Sequence, residues 1–139
     1  MKLGMVGLGR MGGNMTERLL DDGHELVVFD PDSAAVGLLA EKGASPAGSL
    51  AELVEQLESP RTIWVMVPSG DITETTVNEL VELLAAGATL IDGGNSNYKE
   101  SQRRAGHAGE SGIDFLDSGT SGGVWGLANG YCFSLIHIS

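Results

Sequence analysis

Short apolar runs alternate with longer amphipathic stretches along the whole chain. Leu3, Met5 and Val6 form a brief buried-strand pattern that runs straight into the glycine cluster GLGRMGG. From Asn14 to Leu20 the apolar spacing turns helical, and Gly23 is placed to close that helix. ELVVFD, residues 25–30, is β-branched and aromatic and predicts a second strand. Ser33 to Lys42 predicts a helix closed by Gly43, and Ala44 to Ala47 a short third strand. Ser49 is placed to cap the helix AELVEQLE, with Glu52 three residues on to complete a capping box. TIWVMVP, residues 62–68, is apolar without interruption, as a parallel strand covered on both faces would be. Next come a helix over Asp71 to Leu84, the strand and turn ATLIDGG, a polar helix over Asn97 to Ser111, and the strand IDFLDS. Strands alternating with helices in this way predict βαβ units: an α/β fold with a doubly wound, mostly parallel sheet in a single domain.

Composition narrows what such a domain can do. A chain of 139 residues suits one domain, burying roughly two-thirds of its unfolded surface. The formal charge of −11 argues against duplex nucleic acid and anionic membrane surfaces as partners, since both require a basic face. An acidic protein can still hold an anion locally, on backbone N–H groups at a helix N-terminus. With Cys132 as the single cysteine, neither an internal disulfide nor a thiolate cage can form. The apolar runs, such as Ile63 to Val67, fall far short of a membrane span, and the N-terminus meets glycines too soon for a signal-peptide core. These features are those expected of a cytoplasmic protein.

The first glycine cluster carries the most chemistry. Gly7, Gly9 and Gly12 spell G-L-G-R-M-G between a predicted strand and helix, the setting of a dinucleotide-binding turn. Gly7 would permit the tight turn, Gly9 the approach of a pyrophosphate, and Gly12 close helix–strand packing. Leu8, Arg10 and Met11 fill the same loop. Asp30 ends the second strand eighteen residues after Gly12, where a carboxylate can accept hydrogen bonds from the adenosine ribose. It would repel a 2′-phosphate, and the Pro31 and Asp32 that follow leave no phosphate-binding arginine there. Asp32 either adds a second negative charge or caps the next helix. Arg10 offers another route to a 2′-phosphate, so NADP stays open, while NAD is the expected cofactor.

Three more loops belong at the carboxyl edge of such a sheet, where ligands sit: VPSG (67–70), DGGNS (92–96) and SGTSGG (118–123). Together with GLGRMGGNM, the segments VPSG, IDGGNSNYKES and DSGTSGGVWGLANGYC resemble the decarboxylating 6-phosphogluconate dehydrogenases, in particular their shorter bacterial branch. The likeness covers residues 1–132, which correspond to the cofactor domain. The 3-hydroxyacid dehydrogenases, of the 3-hydroxyisobutyrate kind, share the GLGxMGxxM opening and are the alternative family. A stand-alone dinucleotide-binding module is a further one.

The resemblance implies oxidative decarboxylation of 6-phosphogluconate to ribulose 5-phosphate, a pentose phosphate pathway reaction. On it, Gly7 to Gly12 hold the pyrophosphate, Asp30 to Asp32 lie at the ribose, and Val67, Pro68 and Ser69 line the cofactor. Asn95 comes near both nicotinamide and sugar acid, and Ser121, Gly122 and Gly123 bind the substrate. The family's base and acid are a lysine and a glutamate beyond the SGG loop. Here the lysines are Lys2, Lys42 and Lys99, and no glutamate follows Glu110, so the chain is expected to be catalytically incomplete. On the same resemblance, the large helical domain that completes the pocket and in general the homo-oligomer is expected to lie outside these residues. FSLIHIS, residues 133–139, departs from the family pattern and reads as the altered tail of a fragment. His24, His107 and His137 are too dispersed for a metal site. Trp64 and Trp125 are expected to pack, with Trp125 near enough to the SGG loop to line a pocket.

Overall fold

The computed structural model describes residues 2–67, 71–93 and 98–117. Six strands run through it: β1 (Lys2–Val6), β2 (Glu25–Phe29), β3 (Ser45–Pro46), β4 (Thr62–Val65), β5 (Thr89–Asp92) and β6 (Asp114–Asp117). All neighbouring strands pair in parallel, in the order β3-β2-β1-β4-β5-β6. Five helices connect them: α1 (Arg10–Asp21), α2 (Ser33–Glu41), α3 (Leu50–Gln56), α4 (Asp71–Leu83) and α5 (Tyr98–Glu110). This is the doubly wound, Rossmann-like sheet expected from the sequence. Its order reverses between β1 and β4, opening a crevice at the carboxyl edge.

The uninterrupted apolar strands are explained by the two cores they separate. Successive side chains point to opposite faces. Leu26 and Val28 therefore join Leu3, Met5 and Trp64 beneath Met15 and Leu19 of α1 and Leu39 of α2. Val27 instead joins Ile63, Val65 and Leu90 under Leu53 of α3, Leu80 of α4 and Ala108 of α5. Trp64 is a packing residue, 1% exposed.

Three local differences from the sequence pattern have physical causes. Helix α1 begins at Arg10, inside the glycine cluster, rather than at Asn14. Gly12 and Gly13 are poor helix formers, but packing against β1 overrides that preference. Strand β4 pairs only through Val65, and Met66 still donates its N–H to Val6 O at 2.7 Å one residue beyond it. At α3, Glu52 N–H donates to Ser49 Oγ at 3.1 Å as a capping box requires. The Glu52 carboxylate, however, accepts from Gly48 N–H at 3.1 Å instead of from Ser49.

Candidate dinucleotide site

The glycine loop owes its shape to close contacts that only hydrogen permits. Gly7 sits at φ 95°, in the left-handed region, and a methyl there would lie 2.7 Å from the Met66 backbone. A methyl at Gly12 would stand 1.9 Å from Gly7 O, so α1 lies directly on the turn that precedes it. Thr16 Oγ1 donates to Gly12 O at 2.8 Å from the buried side of the same helix. Gly9 differs: a methyl there would meet nothing within 4 Å. Its side faces open space, where a ligand can approach the backbone.

Gly9 is also the N-cap of α1, and no side chain caps that helix or places an acid in its first turn. The N–H groups at its start are therefore left for an anion, with the positive end of the helix dipole behind them. The second helix closes differently, since Asp32 Oδ1 accepts the Ala34 N–H at 3.0 Å and caps α2. Of the two roles open to Asp32, capping is the one the geometry shows.

Asp30 ties the two halves of the site together. Its Oδ2 accepts the Leu8 N–H at 2.7 Å, and its Oδ1 accepts the Asp32 N–H at 2.8 Å. The carboxylate thus anchors the glycine loop to the end of β2 before any ligand arrives. Each oxygen retains acceptor capacity, because a carboxylate offers about four lone-pair positions.

Around these groups lies a cavity of about 470 Å3 at the crevice between β1 and β4. It brings together Gly7, Gly9, Arg10, Met11, Gly12, Asp30 and Val67 from the sequence-derived set. Leu8 does not line it: its side chain is buried in the core and only its N–H serves the site. Pro68, Ser69, Asn95, Ser121, Gly122 and Gly123 lie outside the described residues, as does Trp125. Pro31, Met66, Ile72 and Gly93 complete the wall. Met66 and Ile72 are the residues that the sequence pattern did not point to, whereas Gly93 belongs to the DGGNS loop expected at this edge. Ile72 stays 54% exposed in the first turn of α4, a position that its residue type does not reveal.

The cavity's form suits a dinucleotide: a glycine turn that a Cβ would fill, an uncapped helix N-terminus, and a carboxylate at the end of the second strand. Other titratable residues stand apart. His24 lies in the turn before β2, and exposed His107 approaches Glu110 on α5 at 4.0 Å. Among the described residues no cluster of three or more histidine, cysteine or acidic side chains could hold a metal. No helix among them is long and apolar enough to cross a membrane.

Comparison with known proteins places this geometry. Residues 2–135 match the family described as the NAD binding domain of 6-phosphogluconate dehydrogenase. An NAD(+)-dependent, decarboxylating 6-phosphogluconate dehydrogenase from Haloferax volcanii is 45% identical over 131 residues, covering 94% of this chain and 43% of that protein. The solved 3-hydroxyisobutyrate dehydrogenase of Mycobacterium tuberculosis superposes with a TM-score of 0.81 at 26% identity, over 92% of this chain and 43% of that one. A Plasmodium falciparum 6-phosphogluconate dehydrogenase, solved in its apo form and with NADP+ or 6-phosphogluconate, shares the fold at a TM-score of 0.79. That likeness has 23% identity and covers 92% of this chain and 29% of that one. The chain thus spans less than half the length of each of these relatives.

Proposed function

Because this chain belongs to the family of NAD-binding domains of 6-phosphogluconate dehydrogenase, we propose that it supplies the cofactor half of a decarboxylating 6-phosphogluconate dehydrogenase, with NAD preferred over NADP. The observation that carries the reading is the meeting of the Gly7–Gly12 turn, the uncapped start of α1 and Asp30 in one cavity. When bound, the nicotinamide accepts hydride from the substrate carbon being oxidised. The residues of this chain bind and orient. N–H groups at the start of α1 hold the pyrophosphate over Gly9, Asp30 accepts from the ribose, and Val67, Pro68 and Ser69 flank the dinucleotide. Asn95 and the segment Ser121, Gly122 and Gly123 are assigned to the sugar acid. A base for the substrate hydroxyl and a proton donor to carbon fall outside these residues, so the assigned role of the chain stops at binding. Residues 1–132 form the cofactor domain in this reading, and assembly into a homo-oligomer belongs with a helical partner domain.

NAD over NADP rests on the Asp30-Pro31-Asp32 run, which is unfavourable to a 2′-phosphate. A second reading, a 3-hydroxyisobutyrate-type dehydrogenase, is favoured by the superposition on the mycobacterial enzyme. Calorimetric titration of the NAD-saturated chain separates the two. Heat on adding 6-phosphogluconate but not 3-hydroxyisobutyrate supports the first reading. The reverse selects the second, and silence with both means that these residues alone do not hold the sugar acid, leaving the dinucleotide site to be judged by NAD itself.

A further inference from the structure

Arg104 is the one arginine of the described residues that is almost wholly buried, at 2% exposure, although α5 is otherwise a polar helix. Its Nε donates to Glu74 Oε2 on α4 at 2.8 Å. Its Nη1 stands 3.8 Å from Oδ2 of Asp92, the equally buried last residue of β5. Arg103 adds a second positive charge by pairing with Glu74 through both ends of its guanidinium. Two arginines and two carboxylates thus balance in a knot joining two helices to the end of a strand. Burial pushes the Glu74 carboxyl upward, but its hydrogen bonds to Arg103 and Arg104 and their charges outweigh this and hold it below the ordinary value.

Such a knot adds little net stability, because desolvating buried ions offsets their attraction and apolar replacements often do as well. It does supply a fixed geometry. The residue after Asp92 is Gly93, whose N–H donates to Val65 O at 2.9 Å and whose backbone forms part of the dinucleotide cavity wall. No charged side chain of the knot lines that cavity. The link from α5 to the ligand therefore runs through the backbone at the end of β5.

We propose that Arg104 is a positioning residue for the dinucleotide site: through its 3.8 Å charge contact with Asp92 it fixes the Gly93 backbone in the cavity wall. The inference about binding rests on the proposed function above, whereas the inference about Gly93 does not. The test uses the whole chain carrying Glu74→Gln, Asp92→Asn and Arg104→Met together, so that no buried charge is left without a partner. Amide exchange is read in the absence of ligand, and NAD affinity by calorimetry. Exchange at Gly93 should quicken by about tenfold or more while the Leu90 amide, central in β5, keeps its protection. NAD affinity should fall by about tenfold. Arg104→Lys, which keeps the charge but not the planar fork, should show the same local change at smaller size, and it serves alone if the triple variant does not fold. Unchanged exchange at Gly93, or equal quickening at Gly93 and Leu90, would overturn the positioning role. Wild-type chain that binds no NAD would instead overturn the proposed function and leave the exchange result to decide the role of Arg104.

Discussion

A methyl group at Gly9 would meet no atom within 4 Å, whereas one at Gly12 would stand 1.9 Å from the carbonyl oxygen of Gly7. The two glycines serve different ends, and alanine separates them. Gly12→Ala should push α1 off β1 and cost about 1–3 kcal/mol, read as a lower Tm. Gly9→Ala should keep stability within about 1 kcal/mol, since the gain in chain stiffness offsets a weaker N-cap. It should nonetheless weaken NAD binding, by filling the space left for pyrophosphate. Equal Tm values for both variants would contradict the packing role given to Gly12. Asp30 holds two backbone N–H groups as well as facing the cavity, so its replacement has two effects. Asp30→Ala should cost about 1–3 kcal/mol of stability, from hydrogen bonds to a charged acceptor. It should also weaken NAD more than NADP. Equal loss of both dinucleotides would mean that Asp30 only holds the loop.

At the scale of elements, the caps and the ion knot make separable contributions. Ser49→Ala should remove the α3 cap and about 1 kcal/mol while leaving NAD affinity unchanged, because α3 starts beyond β3, away from the cavity. Glu74 is held below its ordinary value in the folded state. Its contribution is therefore complete above the ordinary glutamate pKa and is lost as pH falls through the lowered value. Denaturant midpoints taken from neutral to acid pH should fall less steeply for Glu74→Gln; parallel profiles would contradict the assignment. The helices and strands themselves were largely legible, since a sheet covered on both faces leaves continuous apolar runs such as Ile63 to Val67. The start of α1 was not, because a run of Gly12, Gly13 and Asn14 carries no local sign of helix and is decided by packing. The second arm of the α3 cap went to Gly48, one residue away, a choice that side-chain reach settles and residue type does not.

Across the whole molecule, the cavity gathers residues from the turn after β1, the end of β2, the end of β4, the first turn of α4 and the end of β5. The glycine turn and Asp30 could be anticipated because their spacing within one βαβ unit carries the chemistry. The DGGNS loop that holds Gly93 could be placed at the same edge, but Met66 and Ile72 could not, for they reach the cavity only when β4 lies beside β1. Arg104 and Glu74 are likewise thirty residues apart and meet only through helix packing. The edge of the sheet that receives the ligand is thus specified partly by one local motif and partly by strand order. Titration of NAD into the isotope-labelled chain, followed by amide chemical shifts, tests this directly. Saturable shifts should concentrate at Gly7 to Gly12, Asp30, Val67, Ile72 and Gly93, with NADP producing the same pattern at higher concentration. Shifts that fail to saturate, or that centre on a second pocket lined by Glu74, Asn78, Arg103 and His107 of α4 and α5, would contradict a dinucleotide site at the β1–β4 crevice.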